Sequence, residues 1–412
     1  MKTKLHRLLR WSEKYTKTDM LYLTKGGFWL TASKVLSTLA SLISSVAFAN
    51  LLPEETYGVF RYVLSITTLL TIPTLHGIEV ALTRSVAKGN YADFDLALKT
   101  RLKWGVLGSL ASLATAGYYY FAGDNILCLS FLIVAIFAPF MDSFHIYASV
   151  LNGKKKFNVL AKDEVATRMS VALLLAGIVF YSENILIVLF VYFFTTTLFR
   201  YFFLQHTLRT ESKNDESDPS MIAYGKHLTF IGIFGRVATQ IDKILVFHFV
   251  GGAALAAFYL AFMPLKITQN FFGGLTTLAL PKFSNTSIEN LRKTLPKKIL
   301  RLYFIVIPVT VLYLFTAPFF FNFLYPLYPE AILMSQLIFL QLLLFPLALF
   351  STAITASEEK KKLYINSSAY AVIRIALLFI LVPVYGVTGA IIAILVTSLL
   401  SNTLLVVLFF RD

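Results

Sequence analysis

Twelve windows long enough to cross a bilayer constrain this chain more than any other feature. They fall near 28–50, 59–83, 103–121, 126–150, 165–181 and 185–204, then near 228–249, 254–280, 300–320, 331–356, 366–384 and 387–409. About 20 residues of helix cross the hydrocarbon of a membrane. No backbone amide can be left unpaired there, so apolar stretches of this length cross as helices. The spacing predicts an all-α, polytopic membrane protein of twelve spans. A chain of 412 residues that is 57% hydrophobic and only 14% charged fits that class and no soluble one.

The connections sort by charge. Those around 51–57, 122–125, 181–184, 250–253, 317–330 and 383–387 contain no Lys or Arg. The alternate ones collect basic residues: Arg84, Lys88, Lys99, Arg101 and Lys103, then Lys154 to Lys156, Arg209 and Lys213, Lys282 to Lys298, and Lys360 to Lys362. Basic connections face the cytoplasm, so both termini are expected there. Most of the net charge of +15 is thereby topological, and nucleic acid drops out as a partner. The basic opening stretch, 1–27, reads as either a short helix at the membrane surface or a tail.

The two sets of six spans resemble each other. "NGKKKFNVLAKDEVATR" (152–168) aligns without a gap on "EEKKKLYINSSAYAVIR" (358–374), and Phe60, Ala81, Leu82 and Arg84 fall opposite Phe258, Ala279, Leu280 and Lys282 at one offset. Six spans return the chain to the same side, so the repeats are parallel, as in two-lobed transporters with a cavity between the lobes. The expected organisation is a first lobe at 28–208, a polar linker at 209–220 and a second lobe at 221–412.

Several chemistries are missing. The chain has no GxxxxGK[ST] phosphate loop, no nucleophile elbow and no HExxH, and its single cysteine, Cys128, lies in an apolar run. An enzyme is disfavoured and no cofactor is called for.

The ionisable residues inside the spans carry the functional information, because each is costly in lipid. Lys34 lies on the first span and Arg61 on the second. Arg236, Asp242 and Lys243 lie on the seventh, Lys266 on the eighth and Arg374 on the eleventh. At helical spacing Lys34, Ser37, Ser41 and Ser45 form one polar stripe, and Arg236, Gln240 and Lys243 form another. Both stripes are expected to face water inside the protein. Arg84, Arg168 and Lys282, near the interfaces, read as snorkelling side chains, and Arg61 fits either role. A chamber lined by Lys34, Arg61, Arg236, Lys243, Lys266 and Arg374 would select anions, since guanidinium grips phosphate oxygens in pairs.

A second group consists of His76 with Glu79 and Asp142 with His145, each three residues apart, with Asp242 as a further acid. A proton or sodium relay coupled to transport, a metal site and plain hydrogen bonding all remain open.

The stretch "GFWLTASKVLSTLASLISSVAFANLLPEETYGVFRYVLSI", and above all "LLPEETYGVFRY", resembles the start of polysaccharide-biosynthesis flippases of the O-antigen type; the "NGKKKF" connection recurs there too. Those proteins belong to the multidrug/oligosaccharidyl-lipid/polysaccharide (MOP) exporter superfamily, with lipid II flippases and multidrug (MATE) exporters. The resemblance implies a V-shaped pair of lobes in a bacterial inner membrane. It also implies an undecaprenyl-pyrophosphate-linked oligosaccharide as substrate, with polysaccharide polymerase and chain-length proteins as partners besides lipid. Two competing readings are a multidrug exporter of the same fold, which would want an acidic cavity, and a non-transporting scaffold, which would need no deep charges.

Overall fold

The computed structural model describes residues 20–211, 214–284, 286–357 and 359–411. The opening segment up to residue 19, part of the linker (212–213), and the side chains of Lys282 and Lys360 lie outside the described residues. The rest is helical, and the chain is an all-α, multi-pass membrane protein. The helices are α1 (Met20–Leu51), α2 (Glu54–Leu70), α3 (Gly77–Ala87), α4 (Asp93–Phe121), α5 (Asn125–Phe144), α6 (Tyr147–Gly153), α7 (Phe157–Tyr181) and α8 (Ile185–Thr210). They continue with α9 (Met221–Val250), α10 (Gly252–Ala261), α11 (Met263–Ser284), α12 (Ile288–Leu324), α13 (Glu330–Phe339), α14 (Ala348–Ala356) and α15 (Lys360–Phe410).

Among the described residues, seven helices are long and apolar enough to cross a membrane, and an eighth span is the bent pair α2–α3. The remaining four of the twelve are masked by two effects. α4, α9 and the α10–α11 pair are long enough but not apolar enough, α4 through its Gly, Ser, Thr and Tyr and the others through charge, and α15 is two spans folded back at Gly386. That residue takes φ +55°, open to glycine at little cost. Beyond it Ser401 bonds Asn366 and Lys362 bonds the Arg411 carbonyl, which is the register of an antiparallel hairpin.

Several helices outrun their apolar windows on the side of the basic loops: α4 starts at Asp93 and α12 at Ile288. Hydropathy registers only the part in hydrocarbon. The added turns are amphipathic, and on α4 they bury Phe94, Ala97 and Arg101 against the bundle. Outward side chains such as Phe121, Tyr181, Phe319 and Phe323 are almost fully exposed, a liability in water and an ordinary surface in lipid.

Three spans are broken near functional residues. The second bends by 44° around Ile72–Thr74, where Pro73 removes an amide donor and Leu75 turns left-handed at φ +58°. The fourth breaks after Phe144, and the tenth passes through a 3₁₀ stretch at Leu340–Leu347 around Pro346.

Helix pairing recurs between the halves: α1 lies along α7 and α9 along α15, while α4 packs on α5 and α12 on α13. The halves meet along the second span. On the side away from the basic loops, the Glu55 carboxylate accepts from the Gly252 and Ala253 amides (3.1 and 3.0 Å). There Gly58 lies so near Gly252 that a Cβ would fall 1.9 Å from its carbonyl oxygen. Ser45 Oγ and Tyr325 OH, 2.8 Å apart, and Asn50, bonded to the Leu324 carbonyl, extend that seam. On the basic side α3 packs on α9, and the Gly77 amide donates to Thr229 Oγ1 (2.9 Å).

Candidate functional site

Three cavities, of about 360, 440 and 220 Å³, meet at Tyr259, which lines all of them. The first lies within the first half, among Ser41, Arg61, Tyr147, Glu164, Arg168, Tyr192 and Arg200. The second is central, with Lys34, Ser37, Glu164, Arg168, Lys266 and Asn270 on its walls. The third reaches into the second half, past Lys243, Lys266, Gln269, Gln341, Arg374 and Asp242. The cavities adjoin, the first two sharing Ser41, Glu164 and Arg168 and the last two sharing Lys266, and together they form a chamber around Tyr259.

Tyr259 is the centre of its positive charge. The Arg61 guanidinium stacks 3.6 Å from the ring centroid, and the Lys266 ammonium lies 4.7 Å from it. Such cation–π contacts hold a cation without neutralising it. Arg61 donates to the Tyr57 hydroxyl (3.1 Å), and its Nε is buried with no hydrogen-bond partner. At the constant repeat offset that pairs Phe60 with Phe258, Arg61 and Tyr259 are equivalent positions, so the stack joins matching points of the two halves. Lys34 lines the same central cavity. Among the described residues, neither Lys34, Arg61 nor Lys266 forms an ion pair with a carboxylate.

The other expected cations divide. Arg374 is buried, donating to Asp242 Oδ2 (2.8 Å) and closely to the Tyr370 hydroxyl. Lys243 bonds the Thr239 carbonyl (2.6 Å) and lies 3.4 Å from Asp242 Oδ1. Asp242 is thus neutralised from two sides, and its pair lines the third cavity. Arg236 lines none of the three cavities. Two helical turns from Lys243, it lies on the part of α9 within electrostatic reach of Asp142 and Glu79. The stripe Arg236–Gln240–Lys243 therefore serves two regions. The other stripe divides as well: Ser37 and Ser41 line cavities, while Ser45 is buried against Tyr325.

The two histidine–carboxylate pairs sit at the helix breaks, His76 just before α3 and His145 just after α5. The breaks bring them into one network. His76 Nε2 lies 3.4 Å from Asp142, and His145 stands between Glu79 (3.8 Å at Nδ1) and Glu164 (2.6 Å at Nε2). Arg101 pairs with Glu79 at 2.7 Å, Arg200 with Asp142 at 3.1 Å and Arg168 with Glu164 at 3.4 Å. Five spans contribute. Among the described residues no group of three His, Cys, Asp or Glu side chains is arranged to hold a metal ion.

Residues 23–287 match the family described as polysaccharide biosynthesis protein. That span is well over half of the chain. The chain belongs to the polysaccharide biosynthesis protein family. No curated protein matches it. Among solved structures it is similar to the lipid II flippase MurJ in an inward closed conformation, with TM-score 0.75 and 16% identity over 92% of this chain and 87% of that one. It is also similar to an inward-facing multidrug resistance MATE transporter of the MOP superfamily (TM-score 0.65, 14% identity, 89% and 92% covered). A third neighbour is a MOP superfamily transporter from Pyrococcus furiosus, described as having a binding pocket of reversed polarity (TM-score 0.64, 15% identity, 93% and 94% covered). At such identities the likeness establishes the fold, which is that of MOP transporters.

In this polysaccharide biosynthesis protein, five site residues escape a reading of hydropathy and loop charge: Arg101, Glu164, Arg168, Arg200 and Tyr259. Arg101 counts as a loop charge by position but is fully buried on Glu79. Arg168 has the look of an interfacial snorkel, yet it lines two cavities. Two features could have flagged it: its i, i+4 pairing with Glu164, and its equivalence to Arg374 in the repeat. Arg200, and Tyr259 among many aromatic residues, carry no such signal.

Proposed function

We propose that this protein is a flippase that moves an undecaprenyl-pyrophosphate-linked oligosaccharide across a bacterial inner membrane, from the cytoplasmic to the periplasmic leaflet, by alternating access. One observation carries the reading. Lys34, Arg61 and Lys266 border the chamber around Tyr259 without carboxylate partners among the described residues. Uncompensated cations in a partly desolvated space favour a multivalent anion, and a pyrophosphate supplies oxygens for both guanidinium and ammonium groups. Hydroxyl and amide groups on the walls, among them Ser37, Ser41, Gln269 and Gln341, suit a sugar. The chamber's basic character argues against an exporter of cationic drugs, and depth of charge in both halves argues against a passive scaffold.

Family membership supports a role in building surface polysaccharide, where polymerase and chain-length proteins would take over the translocated unit. Loop charge supports cytoplasmic termini. In this reading the seams at Glu55–Gly252 and Gly77–Thr229 open in turn. The test is leaflet-resolved transport of a polyprenyl-pyrophosphate-linked sugar in liposomes containing only this protein. Transport is expected in wild type and lost in the triple variant Lys34→Gln, Arg61→Gln, Lys266→Gln. Transport by the correctly inserted triple variant would end the reading.

A further inference from the structure

The network of the first half and the substrate chamber touch at one residue. Glu164 is the only carboxylate on the walls of the first two cavities among the described residues. It shares those walls with Arg168, to which it is paired, and its other oxygen lies 2.6 Å from His145 Nε2. A phosphate entering the chamber therefore meets an internal anion already seated on one of the cations it would use.

Resting on the flippase reading, we propose that Glu164 and His145 form a proton-binding pair that competes with the substrate phosphate for Arg168, so that substrate binds together with a proton. The charge balance explains why this pair would answer. Three carboxylates (Glu79, Asp142, Glu164) face three guanidiniums (Arg101, Arg200, Arg168) in direct pairs. With the histidines neutral the set has no net charge, and the arginines do not titrate. Histidine is the group whose charge changes near neutral pH.

His145 is faced by Glu79 from α3 and Glu164 from α7, with Arg200 of α8 in electrostatic reach and the Tyr147 ring edge-on at 5.7 Å. Asp142 lies on its own span. Arg101 of α4 stands behind Glu79, His76 behind Asp142, and Arg236 of α9 at the margin of both acids. When phosphate takes Arg168, Glu164 loses that partner and gains a like-charged neighbour. A proton shared between Glu164 and His145 removes the repulsion. It comes from bulk water and leaves when the substrate leaves, so charge is conserved across the cycle. Linkage requires the converse: substrate affinity falls as pH rises through the range in which the pair gives up its proton.

The experiment is calorimetric titration of the detergent-solubilised full chain with farnesyl-pyrophosphate-linked N-acetylglucosamine. This pyrophosphate diester keeps its charge near neutral pH, so protons counted belong to the protein. Comparing buffers of different ionisation heat between pH 6 and 8 should give net proton uptake, and affinity should weaken by up to about tenfold per pH unit, the limit for one linked proton. Glu164→Gln should bind tightly at every pH with no uptake, having lost the competitor. His145→Gln should bind weakly at every pH with no uptake, having lost the proton acceptor. Wild-type binding without uptake, or uptake that persists in both variants, overturns the proposal while leaving the flippase reading intact. Failure of the probe to bind at all overturns both. Even if neither variant folds, wild-type binding without uptake overturns the proposal.

Discussion

The two halves bury charge by different means. In the second half, Asp242 is enclosed by Arg374 and Lys243, and one carboxylate answers for both. In the first half, all three carboxylates have alternatives: Glu79 lies near His76, His145 and Arg101, Asp142 near His76 and Arg200, and Glu164 near His145 and Arg168. A closed group has one low-energy arrangement, since removing any partner strands a charge in low dielectric. A network with shared partners can be rewired at smaller cost. By this comparison the second half holds its buried charges in one fixed arrangement, and the first half holds them in one that can be rewired.

The sharpest way to break that comparison is to remove one acid from each half. Asp242→Asn strands buried Arg374, and loss of one partner of a buried pair typically costs about 3–5 kcal/mol. Asp142→Asn should cost clearly less, because the Arg200–Asp142 pair is the less buried of the two and Arg200 keeps the Met141 carbonyl as a partner (2.9 Å). Thermal unfolding in detergent measures both, and equal losses would erase the distinction.

Cation positions come next. Arg61→Ala removes a charge-assisted bond from the chamber, worth roughly 1.5–3 kcal/mol, so prenyl-pyrophosphate affinity should drop by about ten- to a hundredfold. Arg236→Ala, outside the three cavities, should change affinity by no more than a few-fold. A larger loss at Arg236 than at Arg61 would move the phosphate site towards the network.

The seam between the halves offers a steric test. Gly58→Ala drives a methyl group into the Gly252 backbone, and overpacking of this kind costs about 1–3 kcal/mol. It should lower stability and favour the state in which α2 and α10 separate, read by spin-label distances across the seam. Gly117→Ala, with nothing within 4 Å of the added atom, is the matched control.

The smallest effect lies at the linker. Lys156 and Lys154 bond Glu211 at 2.6 and 3.1 Å. Burial opposes ionisation of this carboxyl, but hydrogen bonds from the two lysines outweigh it and hold it below its ordinary 4.5. A depressed carboxyl contributes stability above its unfolded value, and that contribution is lost as pH falls through the folded value. Amide protection around 207–211, taken relative to the intrinsic exchange rate at each pH, should therefore fall below about pH 4.5 in wild type and already be reduced at pH 7 in Glu211→Gln. The clasp is worth at most about 1 kcal/mol.

By itself the sequence determined that the chain is helical, that it crosses the membrane many times and that the halves are related. Lipid imposes those properties locally: each window must satisfy its own backbone, and each buried charge must find water or a partner. The same rule singled out Lys34, Arg61, Lys243, Lys266 and Arg374 before any geometry was known. Pairing was another matter, because partners lie on different helices and depend on rotations that hydropathy does not encode. Only tertiary structure joined His76 to Asp142 and His145 to Glu164, gave Asp242 to Arg374, stacked Arg61 on Tyr259 and left Arg236 outside the chamber. Helix breaks and interhelical packing, set by the whole bundle, made those choices.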